Sequence, residues 1–539
     1  MTQHDAFRAA RDAYRRREWE KARTGFRSSD LDTDHLDTED LEALAGASWW
    51  LNHTDEYVDA AAELHRRLLR DGDLAAAGRV AVEIGYTEIV RGRESVGSGW
   101  IARSRRHFAK TPDATERGYL LALDADVAAA AGNLTGAEEI ARELLDLGDS
   151  REDPTLQALA LFIAGVVAIR RGHTDDGCRL LDEALVPVEA DEVAPEWAGN
   201  LYCRMMQLCF ELSDLPRADA WTRLTERWCE NRAPAAVFAG ICRVHRVQLR
   251  QVHGEWDRAA SEAQNAADEL EDLDLVATAE AYYQLGEVRR QQGSLDSAET
   301  AYACAHARGR DPQPGLALLH LRRGHRRSAA TGLDAALAST AAPLARAPLL
   351  AARAEVGIAC DDLPTATRCV DELRRVTDAH RTPGWQADSL RWEGAVLLAR
   401  RRPADAVGVL RRALALWQRM DSAYRVAHVR LDLAQAAGAL GDHEGAAREY
   451  DEAIAVLEHL GARDDLQRLR AHRARPAALS EREVEVVAAI STGCTNRQAA
   501  SRLNISERTV ARHLANVYLK TGVSSRTAAV AWARDRALL

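Results

Sequence analysis

One recurring unit runs through most of the chain and limits what it can fold into. Its mark is a turn residue, a small residue five positions later and an apolar residue four beyond that. Gly132, Ala137 and Ala141 form one instance, and Gly172, Gly177 and Leu181 another. The series begins at Arg17, Ala22 and Phe26 and is clearest at Gly293, Ala298, Tyr302 and at Gly441, Ala446, Tyr450. Arg170-Arg171-Gly172-His173 returns almost unchanged as Arg322-Arg323-Gly324-His325. Turn positions fall near 17, 55, 92, 132, 172, 213, 254, 293, 324, 361, 401 and 441; most steps are 37 to 41 residues and one is 31. Such a length holds two amphipathic helices and their turns. The small residue lets paired helices approach, and the apolar one plugs the neighbour. No pair can bury its apolar face alone, so roughly twelve pairs over residues 5–460 must stack into a superhelix.

Composition agrees. Alanine, leucine and arginine dominate, only 5% of residues are aromatic, and β-branched alternation is nearly absent. The expected fold is all-α. Its larger part resembles a tetratricopeptide-like α-solenoid, with units longer than the roughly 34 residues usual there. The expected plan is a repeat domain over residues 1–460, a basic linker over 461–478 and a small four-helix domain over 479–539. The linker holds five arginines and Pro476 and reads as a helix tail followed by a short tether.

The last 61 residues, from Leu479, carry three helix starts. Ser480 with Glu483, and Thr495 with Gln498, have the spacing of capping boxes, in which each side chain satisfies the other residue's orphan backbone donor. Ser506 is a third N-cap candidate. Gly493 suits a left-handed cap between the first two helices, and Leu503-Asn504-Ile505 makes the next turn. In the third helix, about Ser506 to Lys520, Val510, His513 or Leu514, and Val517 fall on one side. Arg508, Ala511, Arg512, Ala515 and Leu519 fall on the other. A helix that enters a major groove needs such a face: small residues permit close approach, and Arg forks onto guanine or phosphate. A fourth helix, about Ser525 to Arg536, carries Ala528, Ala529 and Trp532.

This segment resembles the LuxR-type (GerE-type) helix-turn-helix of bacterial transcription regulators. Leu479, Ser480, Arg482 and Glu483 match the family's opening. Gly493, Asn496, Ala500, Leu503, Ser506, Thr509, Val510, His513, Asn516, Lys520, Gly522, Val523 and Arg526 follow in order without a gap. The resemblance implies that the third helix reads DNA and that the fourth helix makes a homodimer. It places Thr509, Val510 and Lys520 near phosphates and Ala511, Arg512 and Ala515 before the bases; Arg508 and Asn516 complete the expected DNA-binding set. Ala511 and Ala515 stand where the family is often basic, Thr521 where Leu is usual and Ala499 where Ile is usual. Readout is therefore expected to rest mainly on Arg512 and Arg508. Cys242-Arg243-Val244-His245-Arg246 and Asp311-Pro312-Gln313-Pro314-Gly315-Leu316 are similar to stretches of actinobacterial regulators built in this way. Only three lysines, Lys21, Lys110 and Lys520, against 68 arginines fit a GC-rich genome of that kind.

Charge is divided to match. Residues 461–539 hold fourteen basic and seven acidic residues, net +7, and residues 1–460 carry −18. Phosphate contacts supply much of DNA affinity, so the positive share belongs with the helix-turn-helix. The acidic body would repel DNA and reads as a sensory or protein-binding part.

No phosphate-binding GxxxxGK[ST] loop, nucleophile–base arrangement, metal-ligand spacing or cofactor motif is present, so no catalytic, cofactor or metal residue is assigned and no enzyme is expected. Nine cysteines without a CxxC pair, and no long apolar run, suit a cytoplasmic protein with reduced thiols and no membrane contact. Cys203, Cys209, Cys229 and Cys242 read as packing residues, with a redox switch as the alternative. Between Trp197 and Tyr283 aromatics alternate with arginine and histidine: Tyr202, Arg204, Trp221, Trp228, His245, Arg246, Arg250, Trp256 and Tyr282. They suit repeat-interface plugs, or an effector pocket with polar anchors.

The expectation is a DNA-binding transcription regulator. Its partners would be duplex DNA, a second copy, a small-molecule or protein effector on the solenoid, and RNA polymerase. The alternative is a helical-repeat interaction scaffold with an ancillary DNA-binding domain.

Overall fold

The computed structural model describes residues 3–27, 36–230, 236–474, 479–521, 523–534 and 538–539, with backbone alone at 3–6, 230, 236–242, 472–474 and 481. The described residues form twenty-nine helices and no strand. They fall into two compact units, Met1–Gly461 and Ala462–Leu539.

The first unit is twelve successive helical hairpins. Every hairpin turns on a residue in the left-handed region: Arg17, Asn52, Gly92, Gly132, Gly172, Ser213, Gly254, Gly293, Gly324, Asp361, Arg401 and Gly441. The second turn thus lies at Asn52, three residues before the position near 55 read from the repeat. Asn tolerates this conformation better than most residues because its short side chain bonds locally. The helix then starts at Thr54, which leaves Asp55 in its first turn, where an acid suits the helix dipole.

Five residues after the turn, Ala22, Ala137, Ala218, Ala259, Ala298, Ala329, Ala366 and Ala406 are each fully buried. The clearest close approach is the fifth hairpin. There a methyl on Gly177 would lie 2.6 Å from the Gly165 carbonyl oxygen, and one on Gly165 would lie 2.9 Å from that of Gly177. Four residues further on, Phe26, Ile101, Leu181, Tyr302, Leu333 and Leu410 are buried as plugs. The short step at the ninth hairpin has a local cause: Pro312 and Pro314 delay the helix Gly315–Arg322, leaving it eight residues.

Successive superhelical turns touch. Thr174 Oγ1 and His380 Nδ1 are 3.1 Å apart, joining the fifth hairpin to the tenth. Trp385 donates to the Glu211 carbonyl at 2.8 Å, and the Trp256 and Tyr424 rings are 5.4 Å apart. Each contact spans five hairpins, so five hairpins make one turn of the superhelix.

The aromatic segment between Trp197 and Tyr283 mainly plugs repeats. Tyr202, Trp228 and Trp256 are buried, and Trp197 stacks on Tyr119 at 5.2 Å. Arg246 and Arg250 are held by Glu226, Glu255 and Glu262. Cys203 and Cys209 are buried in the core and Cys229 is half-buried; the Cys242 side chain lies outside the described residues. No helix among the described residues is long and apolar enough to cross a membrane.

Beyond the left-handed cap Gly461, residues Arg463–Ala474 form a helix of their own. The stretch read as a helix tail is thus a separate helix, because the αL cap ends its predecessor. Residues 475–478, with Pro476, lie outside the described residues.

Candidate nucleic-acid interface

The C-terminal unit builds its interface from three short helices and a supporting fourth: Glu481–Ser491, Asn496–Leu503, Glu507–Thr521 and Arg526–Arg534. Both capping boxes are formed, Ser480 with Glu483 and Thr495 with Gln498. The second helix ends at Asn504 in the left-handed region, and Ile505 N–H returns to the Ala500 carbonyl at 3.0 Å. Ser506 then caps the third helix, its hydroxyl accepting from Thr509 N–H at 3.1 Å. Two caps and one αL residue thus set the angle between the second and third helices.

Val486, Ala489, Ile490, Ala499, Ala500, Val510 and Leu514 form one core cluster; Val487, Val517, Ala529 and Ala533 form another. Leu514, not the half-buried His513, is the third helix's central core residue. Thr521, at a position where the LuxR pattern favours Leu, back-bonds its hydroxyl to the Val517 carbonyl at 2.6 Å.

Arg508, Ala511, Arg512, Ala515 and Leu519 are exposed on the other side of the third helix. Arg508 and Arg512 have no hydrogen-bond or ion-pair partner among the described residues, so both guanidiniums keep all their donors. The two alanines put no bulk on this face. Thr509 is half-buried and its hydroxyl bonds that of Ser506 at 2.7 Å; Asn516 is also half-buried.

Two expected contact residues stand differently. The Val510 side chain is fully buried, so it is withdrawn from the surface and only its backbone can face a phosphate. Lys520 turns inward, donating to the Glu483 carboxylate at 2.6 Å. That carboxylate is buried and also accepts from Ser480 N–H at 2.7 Å. Burial pushes Glu483 up, but the Lys520 ammonium and the Ser480 N–H outweigh it and hold the carboxyl below its ordinary value. The pair ties the end of the third helix to the start of the first, across 37 residues of sequence.

Arg526 supports the turn from behind. It donates to Asn496 Oδ1 at 2.8 Å and to the Cys494 carbonyl. Arg497, in the first turn of the second helix, is exposed and has no partner among the described residues. Sequence reasoning passed over it because it lies outside the third helix. Its only sequence signal is its place just after Asn496 in the capping box. Gly522 and residues 535–537 lie outside the described residues, so the fourth helix is described to Arg534.

Comparison with known proteins agrees with this geometry. Residues 477–533 match the family model of "Bacterial regulatory proteins, luxR family". A putative HTH-type transcriptional regulator of Mycobacterium bovis is 32% identical over 202 residues, which cover 34% of this chain and 20% of that protein. The probable transcriptional regulatory protein SgaR of Hyphomicrobium methylovorum is 52% identical over 54 residues, 10% of this chain and 26% of its own length. The CsgBAC operon transcriptional regulatory protein of Escherichia coli is 44% identical over 59 residues, 11% of this chain and 27% of its own. This chain therefore spans only a fifth to about a quarter of these relatives. Among solved structures, the anaphase-promoting complex Cut9–Hcn1 hetero-tetramer covers 86% of this chain and 96% of its own, at a TM-score of 0.35 and 14% identity. The named relatives are transcription regulators. The segment 477–533 is a luxR-family helix-turn-helix domain.

Proposed function

We propose that the protein is a transcription regulator that binds promoter DNA as a homodimer, with the third helix of its C-terminal unit in the major groove. The observation that carries this reading is one exposed helix face on a luxR-family domain: Arg508 and Arg512 without a partner among the described residues, Ala511 and Ala515 beside them. In this reading Arg512 and Arg508 fork onto base edges, and the alanines let the helix sit deep in the groove. Thr509, Asn516 and the backbone at Val510 meet phosphates, joined by Arg497 from the second helix. Lys520 acts from inside, by holding the third helix against Glu483. The fourth helix joins two copies, and the repeat unit receives a small molecule or protein that governs DNA binding or the contact with RNA polymerase. The scaffold alternative has no observation of its own in its favour.

Paired DNA-binding measurements on the full chain and on residues 461–539 test the control. An effector-dependent full chain beside a constitutive fragment is the expected result. Equal affinity and equal dimerisation under all conditions would remove the regulatory role of the repeats.

A further inference from the structure

The superhelix lines a partly open cavity of about 910 Å³, near the top of the roughly 300–1,000 Å³ that small-molecule sites occupy. Its walls are the first helices of eight hairpins, the third and the sixth to twelfth. Of the aromatic segment singled out in the sequence, Arg204, His245 and Tyr283 reach it. Apolar surface comes from Phe210, Leu344, Pro348, Leu349 and Trp385. Trp392, also in the wall and 5% exposed, has an indole N–H without an acceptor among the described residues.

The charges of this wall are unequally matched. Arg204 is held by Asp126, Arg290 by Glu287 at 2.6 Å and Arg310 by Glu280 at 2.8 Å. Arg391 is held by Asp432 at 3.1 Å and Arg425 by Asp388 at 3.2 Å; Arg322 is engaged as well. Four carboxylates of the wall lack an ion pair among the described residues; Asp274 and Asp311 accept instead from the backbone N–H groups of Ala277 and Gln313, which leaves Glu211 and Glu355. Glu211 meets only the Gln207 amide, at 3.5 Å. Glu355 has no ion pair or hydrogen bond among the described residues, and it lies with Asp432 and Asp388 around the single guanidinium of Arg391. An anionic ligand would have to break an existing pair and strand its carboxylate, whereas a cation meets two carboxylates that form no ion pair among the described residues and have only the more distant charges of Arg170 and Arg391 near them.

We propose that this cavity is the effector site and that its ligand is an organic cation, a positively charged nitrogen on a flat apolar body, drawn by Glu211 and Glu355 and received by the apolar wall at Phe210 and Trp385. The assignment rests on the reading of the repeat unit as a sensor and adds its ligand chemistry. Burial pushes the Glu211 carboxyl up, outweighing the nearby Arg170 guanidinium and the Gln207 amide, which pull it down. Glu211 stands on the sixth hairpin and Glu355 on the tenth, so a cation held by both would link two hairpins four apart in the chain.

The test titrates the full chain with berberine, a flat quaternary cation whose fluorescence rises out of water. Dihydroberberine serves as its neutral counterpart of similar shape, and fluorescein as an anion. The expected result is saturable berberine binding at least tenfold tighter than dihydroberberine, with no competition from fluorescein. The double variant Glu211→Gln, Glu355→Gln should lose at least tenfold in berberine affinity at an unchanged unfolding midpoint. Should that variant fail to fold, the cation and neutral probes on the wild-type chain decide alone. Equal affinity for the two, tighter binding of fluorescein, or no saturable binding would overturn the cation site. Promoter affinity is measured in the same samples. Cation binding that leaves it unchanged would overturn the sensor reading and spare the site; promoter binding without cation binding would do the reverse.

Discussion

Arginine serves opposite ends in the two units. In the repeat unit its buried members are consumed internally: Arg290 lies against Glu287, Arg391 against Asp432 and Arg353 against Asp334, each of these arginines with little exposed side chain. On the third helix of the C-terminal unit, Arg508 and Arg512 stand exposed without a partner among the described residues. A guanidinium already paired inside a fold offers little to a phosphate or a base, whereas a bare one keeps five donors for them. The acidic excess of residues 1–460 and the basic excess of 461–539 therefore do more than sum to −11. They mark one unit that pairs its most buried arginines internally and another that keeps two bare on a single helix face.

Substitutions that cross this divide should separate stability from DNA binding. The largest effect is expected from Arg290→Met, which leaves the half-buried Glu287 with the Tyr302 hydroxyl in place of its ion pair. It should cost about 3–5 kcal/mol in chemical denaturation of the repeat unit and change DNA binding by the full chain only through the control that the repeats exert. Gly177→Ala forces a methyl against the Gly165 carbonyl and should cost about 1–3 kcal/mol, read as a lower unfolding midpoint. Arg512→Ala reverses the pattern. It should weaken specific DNA binding by about 1–3 kcal/mol and relax preference at one base position, with stability changed by less than about 0.5 kcal/mol.

The smallest effect concerns Lys520. Glu483 is held below its ordinary value when folded, so its contribution is present above the unfolded carboxylate pKa and is lost as pH falls through the lower folded value. Acid titration of residues 461–539 should show that loss, and Lys520→Met should flatten it at a cost of about 1 kcal/mol at neutral pH. An unchanged acid profile together with weaker DNA binding would return Lys520 to a phosphate-contacting role.

What was legible followed from local rules. Turn residues and small residues recur because every hairpin repeats one local problem, and the structure turns at Gly132, Ser213, Asp361 and Arg401 where the repeat places them. The one shift, to Asn52, arose because Asp55 and Asn52 are both polar residues beside a helix start, and only backbone conformation separates them. Both capping boxes were readable for the same reason, since each joins residues three apart. Long-range pairing was not readable. Lys520 finds Glu483 only after three helices have packed. Val510 satisfied the core pattern and the family pattern together, and burial decides between them. The cavity depends on superhelical pitch, which brings Glu211, Glu355 and Trp392 to one wall; no spacing in the chain encodes that.

The most direct test of the central claim compares DNA retained from sheared DNA of the source genome by the full chain and by its Arg508→Ala, Arg512→Ala variant, near physiological salt. The account predicts a shared, two-fold-symmetric motif in the wild-type fraction and its loss from a variant with the same unfolding midpoint. An identical motif with both proteins, or enrichment with neither the full chain nor residues 461–539, would contradict it.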